Sequence, residues 1–165
     1  MKRKLWLVSL ALTISGSYCI AQKIIMKIAS STAQFGEEVR ALEFQINADP
    51  PSTIYGPGKA QPGTLMIKKT NDVSTGALFN GIVKGTIIPE VLFEYYDTDI
   101  TINKTPYYTI TLGNANVLQL YWLSPECPTC LKLEHQVGFV FKTMKTVDNV
   151  TGQTRLWNIA TGTIQ

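Results

Sequence analysis

Apolar residues recur at every second position along much of this chain, the period that divides the two faces of a β-strand. Lys23 to Ile28 (KIIMKI) alternates loosely, but its β-branched content suits a first strand. A polar loop from Ala29 to Gly36 follows. The run Val39, Leu42, Phe44 and Ile46 then alternates from Leu42 onward. Asn47 to Gly63 holds four prolines and three glycines, which excludes a helix interior and a central strand. A loop of that length in a compact domain is usually functional or mobile.

Leu65 to Lys69 is a short strand. The period then changes once. Asp72 or Ser74 can cap a helix in which Leu78, Phe79, Ile82 and Val83 share a face, and Gly81 and Gly85 keep it short. From Thr86 onward the chain reads as strands again. Ile87 to Tyr96 is one, with Pro89 marking an edge or a bulge near its start. Tyr107 to Leu112 alternates cleanly, and Gly113-Asn114 reads as a hairpin connection into Ala115 to Leu123. Glu134 to Val147 is the longest alternating stretch, with Val137, Phe139, Phe141 and Thr143 on one face. A turn between Asp148 and Gly152 leads to a last strand, Arg155 to Ile159. About eight strands and one short helix predict a mainly all-β fold, either a barrel or two closely packed sheets.

The first residues set the compartment. Lys2, Arg3 and Lys4 precede the apolar run Leu5 to Ile14, and small residues at Cys19 and Ala21 suit cleavage before Gln22. That order is a signal peptide over residues 1–21, which leaves 22–165 as one exported domain, periplasmic or extracellular. The apolar run is too short for a stable membrane span. Cys19 would also suit a lipid anchor, although Tyr18 is bulky for such a site. Three of the 15 basic residues and none of the 12 acidic ones lie in the leader, so the remainder carries 12 of each and no net charge. The basic balance of the whole chain thus gives no support to nucleic-acid binding.

Candidate chemistry is sparse. Cys127 and Cys130 are the cysteines left after cleavage, and they form a C-x-x-C in the turn between two strands. A disulfide stapling that turn suits an oxidising compartment, and the alternatives are a redox pair or a metal site. No βαβ unit surrounds the motif, as a thioredoxin-like enzyme would require. His135, the one histidine, reads as an exposed strand residue rather than a base. The acids Glu37, Glu38, Asp97, Asp99, Glu126 and Glu134 are scattered and read as solvated, with Asp97 and Asp99 the pair that could suit calcium. No nucleophile elbow, phosphate-cradling loop or zinc-protease motif occurs, so neither catalysis nor a cofactor is implied. Tyr95, Tyr96, Tyr107, Tyr108, Tyr121, Trp122 and Trp157 lie on or beside strands. Neighbours in a strand face opposite ways, so one member of each adjacent pair should face outward as packing or as a contact surface.

Taken in order, KIIMKI, FGEEVRALEFQI, the Gly- and Pro-rich loop, LMIKKTNDVSTGALFNGIVKG, VLFEYY, YYTITLGNANV and LEHQVGFVFKTMKTV resemble the Hcp family. Those are the ring-forming tube proteins of bacterial type VI secretion. The resemblance rests on a lysine ahead of Asp72, on Ser74-Thr75, Leu78 and Gly85, and on Leu133-Glu134 in the late strand. It implies a β-barrel of two packed sheets with a short helix, Ser74 to Val83, beside it, and Phe79 and Ile82 in the core. It also implies homo-hexameric rings that stack into tubes and hold effector proteins or contact other secretion components. The strand edges and the loop from Asn47 to Gly63, with Tyr55, Gly56, Pro57, Gly58 and Lys59 at its tip, become the candidate assembly contacts. Two features depart from the family: the leader, and the turn with Cys127 and Cys130. A monomeric exported binding module and a thiol-disulfide protein are the alternative readings.

If the two cysteines only staple their turn, changing both to Ser leaves assembly intact. Loss of rings in micrographs of that variant would make the turn an interface instead.

Overall fold

The computed structural model describes residues 23–29, 34–48, 60–97, 105–123 and 133–165. Among these, strands β1 (Lys23–Ala29), β2 (Gln34–Glu43), β3 (Ile46–Ala48), β4 (Ala60–Pro62) and β5 (Leu65–Thr70) precede the helix α1 (Val73–Lys84). After it come β6 (Ile88–Tyr96), β7 (Tyr108–Leu123), β8 (Glu134–Val140), β9 (Thr143–Asp148), β10 (Thr154–Asn158) and β11 (Thr163–Ile164).

Antiparallel pairing runs β6–β1–β2–β5–β8, and β8 returns to β7, which also pairs β6, so the sheet closes on itself. Two strands turn the corners. The first part of β2 pairs β1 and its last residues pair β5, with a register shift between Val39 and Ala41. The first half of β7 pairs β6 on one edge and β9 on the other, whereas its second half pairs β8, with a shift between Val117 and Gln119. Such irregularities bend a strand from one sheet into the next. The result is the expected barrel of two packed sheets. β10 and β11 extend the sheet beyond β9.

The inner faces follow from the alternation. In the first sheet, Met26, Phe93 and Ile110 form one cross-strand row and Ile28, Val91 and Leu112 the next. In the second, Leu65, Phe139 and Val117 form one row and Ile67, Val137 and Leu120 another. Most of these side chains are buried, and Phe93 meets Phe139 edge to face across the core at 6.3 Å.

Gly113-Asn114 does not make the expected hairpin. β7 runs straight through it, with Asn114 in the left-handed region at φ 50°. A Cβ on Gly113 would meet the hydroxyl of Thr143, its partner on β9, which would have to turn away. Opposite that point the expected single strand from Glu134 to Val147 breaks at Phe141-Lys142. Lys142 N–H donates to the Gly113 carbonyl there, and the Lys142 carbonyl accepts from Ile159 N–H. Together β7 and β8–β9 form one long hairpin bent at the barrel corner. Pro89 lies just past the end of the β1–β6 ladder, where no donor is required, and is exposed. The Gly- and Pro-rich loop is rooted in a small ribbon, because β3 and β4 pair through Ile46–Pro62, Asn47–Gln61 and Ala48–Ala60. Its tip, Tyr55 to Lys59, lies outside the described residues, as do residues 1–21, the expected leader. The loop expected from Ala29 to Gly36 is shorter, since β2 already pairs β1 at Gln34.

α1 packs against β7 and touches β2, the two strands that turn corners. Asp72 is its N-cap, accepting from Ser74 N–H at 3.0 Å, and Thr75 Oγ1 accepts from Asp72 N–H at 3.3 Å, closing a capping box. Gly85 ends it at φ 62° in the left-handed C-cap conformation. Ser74, Leu78 and Gly81 form the buried stripe, and Ile82 packs against the core. Phe79, expected in the core, and Val83 are exposed instead. They sit one residue, about 100°, around the helix from Leu78 and Ile82, beyond the buried stripe.

Lys69 continues the inner phase of Leu65 and Ile67 and is fully buried. Its ammonium donates to Asp72 Oδ1, Thr75 Oγ1 and the Thr70 carbonyl, so three protons meet three acceptors. On the outer face, Glu134 accepts from Arg40 Nη1 at 2.7 Å and pairs with Lys68 Nζ at 3.0 Å, tying β2, β5 and β8 together. Lys68 and then Arg40 hold its carboxyl below the ordinary value of 4.5, against the opposing effect of its own desolvation.

Asp72→Ala strands a buried ammonium and removes the cap, and should cost about 3–5 kcal/mol. Lys69→Met should cost less, because Asp72 keeps its bonds to Ser74; urea unfolding that reversed this order would contradict the assignment. Glu134→Gln should lower stability at neutral pH. Because the folded-state carboxyl value is depressed, the wild-type advantage is present above pH 4.5 and shrinks as pH falls below it. Melting temperatures of the two proteins across that range check this.

Candidate assembly surface

The inner row beyond Ile67–Val137–Leu120 consists of Lys69, His135 and Trp122. It lies where α1 begins. His135 is therefore buried, contrary to its expected exposure, because it shares the inward phase of Val137 and Phe139. Its Nε2 lies 3.2 Å from Asn71 Oδ1. Desolvation, then the Lys69 charge, lowers its pKa below the ordinary 6.5, with Asp72 opposing. Trp122 stands edge-on to His135 at a centroid separation of 6.0 Å and to Phe79 of α1 at 6.1 Å.

Trp122 is nevertheless 53% exposed, and its neighbour Tyr121, on the opposite side of the strand, is also 53% exposed. The pair faces opposite ways, as expected, but the inward member, Trp122, is left uncovered. Past the shift near Leu118 the second half of β7 pairs only β8 among the described strands, so its far edge adds no cover. Leu118 and Val83 are exposed as well. An apolar face thus joins the exposed flank of α1 to the end of β7.

The other aromatics pack. Tyr96 is buried, donating its hydroxyl to Glu94 Oε2 at 2.8 Å, while Glu94 also pairs with Lys27 at 2.8 Å. Tyr95 meets Tyr107 and Tyr108 edge to face at 6.3 and 5.9 Å. Burial pushes both Tyr95 and Tyr96 up to about 12, so neither phenol ionises near neutrality. Trp157 is buried on β10.

Cys127, Cys130 and Glu126 lie outside the described residues, as does Asp99. Asp97 is exposed. Glu38 is exposed beside Lys23 at 3.5 Å, whereas Glu134 is buried between two cations rather than solvated. Among the described residues no group of three His, Cys, Asp or Glu could hold a metal ion. A groove of about 180 Å³ lined by Ala41, Glu43, Met66, Lys68, Leu123 and Gln136 is smaller than ordinary small-molecule pockets. No helix among the described residues is long and apolar enough to cross a membrane.

The site residues that sequence reasoning missed are Lys69 and His135. The signal for both was phase: each continues an inward alternation that charge and polarity seemed to end.

The arrangement suits contact with another macromolecule, and the comparisons with known proteins agree with the barrel. The model of the family described as type VI secretion system effector, Hcp, matches residues 29–147. A solved type six secretion system protein superposes with a TM-score of 0.70 at 14% identity, over 88% of this chain and 100% of that one. A crystal structure of an Hcp protein gives 0.71 at 13% identity, over 84% and 98%. Hcp1 from Salmonella typhimurium gives 0.69 at 17% identity, over 88% and 99%. At such identities the structural likeness establishes the fold. A search of curated proteins found no match. The family match spans β2 to β9 and takes in the capped helix, the buried lysine and both corner strands, so this chain belongs to the Hcp family of type VI secretion proteins.

Proposed function

We propose that this protein is an exported structural member of its family, which loses residues 1–21 and assembles as residues 22–165 into hexameric rings. Rings stack into tubes, and the assembly carries or contacts secreted effector proteins in the periplasm or outside the cell. Its chemistry is contact rather than catalysis. The observation that carries this reading is the family match across the barrel. The exposed Phe79, Tyr121 and Trp122 supply the kind of aromatic surface that dominates protein contacts. The far edge of the second half of β7, which pairs with no other strand among the described residues, supplies backbone groups that a neighbouring copy would satisfy. Cys127 and Cys130 act as a staple of the turn between β7 and β8.

Light scattering after size exclusion on residues 22–165 should give six times the chain mass, with annular particles in micrographs of the same fraction. A monomer at all concentrations would overturn ring assembly and favour a binding module that uses Tyr121 and Trp122. Deleting residues 50–58 spares the β3–β4 pairing and should leave rings but abolish tubes; tubes that persist would rule the loop out as a stacking contact.

A further inference from the structure

The chain's one histidine sits where a second positive charge is least welcome. His135 is 1% exposed, and in the neutral ring with the proton on Nε2 it donates to Asn71 Oδ1 at 3.2 Å. Its Nδ1 is buried and has no hydrogen-bond partner among the described residues. A proton added there creates a buried cationic N–H with no acceptor placed for it.

The charges around it worsen this. From β5, Lys69 is its cross-strand neighbour on the same face. From the start of α1, Asp72 is already engaged by Lys69, by Ser74 N–H and by Ser74 Oγ. Within β8, Glu134 points to the outer face and is held by Arg40 and Lys68. The β7 segment opposite, Asn116 to Leu123, contains no ionisable side chain except Tyr121, which is on the other face and exposed.

We propose that His135 is an acid-triggered release for α1: one proton taken from solvent at Nδ1 places a second cation beside Lys69, Asp72 cannot serve both, and the first turn of the helix leaves β5. Phe79 then separates from Trp122, and the apolar face they form is rearranged. The direction follows from linkage. The unfolded chain takes this proton near 6.5 and the folded chain only below that, so folded-state stability falls as pH drops through 6.5 and levels off once His135 is charged in both states.

The untagged full protein, with its histidine labelled at Cε1, reports the titration without ambiguity because there is one histidine to observe. Tryptophan emission is read in the same samples, and its difference from the emission of Trp122→Phe, which keeps Trp6 and Trp157, reports Trp122. The expected result is an NMR midpoint below 6.5, an emission change with the same midpoint, and loss of that change in His135→Gln. An NMR midpoint at or above 6.5, a histidine that titrates while emission stays constant, or an emission change retained in His135→Gln would each overturn the proposal. If His135→Gln does not fold, coincidence of the two midpoints in the unaltered protein decides the matter alone.

Discussion

A lysine ammonium that no water reaches has to be neutralised by the fold around it, and the Lys69–Asp72 pair does this at the junction of barrel and helix. Moving an ammonium out of water costs several kcal/mol, so burial at this point is tolerable only if every proton finds an acceptor. Asp72, Thr75 and the Thr70 carbonyl provide three. The same carboxylate caps α1, so one residue sets where β5 ends and where the helix begins. The helix therefore starts in a fixed position against β7 and β2, the strands whose corners join the two sheets. Register, corner and helix placement are coupled through a single ion pair.

That coupling decides what the surface can do. With Leu78 and Ile82 turned to the core, Phe79 and Val83 are held outward, and Phe79 is brought edge-on to Trp122. A helix rotated by one residue would bury Phe79 and remove the apolar face. The protein thus displays large aromatic side chains on rigid elements, an arrangement fit for a protein partner and unlike a small-molecule cleft. Membership of a secretion tube family agrees with such a surface.

Much of this was legible in the chain. The period-two alternation located most barrel strands, and the change of period after Thr70 located the one helix among the described residues. The resemblance singled out Asp72, Ser74-Thr75 and Gly85, and these turn out to be the capping box and the left-handed C-cap. What alternation does not encode is a strand that changes sheets. Gly113-Asn114 carries the composition of a hairpin turn, yet lies inside β7, because pairing with β6 continues past it to Ala115. Burial of Lys69, His135 and Glu134 was likewise hidden. Each is polar, and only the three-dimensional partners (Asp72, Asn71, and Arg40 with Lys68) make its burial tolerable. Phe79 erred in the other direction, since hydrophobicity alone does not separate a core residue from one at the edge of the buried stripe.

The central claim is that the apolar face of Phe79 and Trp122 is held by the buried cation beneath the start of α1. Native-state hydrogen exchange at neutral pH tests it most directly, because opening free energies can be read segment by segment. The account predicts that the amides of Leu78 and its neighbours exchange as slowly as those of β5 and β7, and that Asp72→Ala speeds the helix selectively. A helix that exchanges as fast as the terminal strand β11 in the unaltered protein would contradict it.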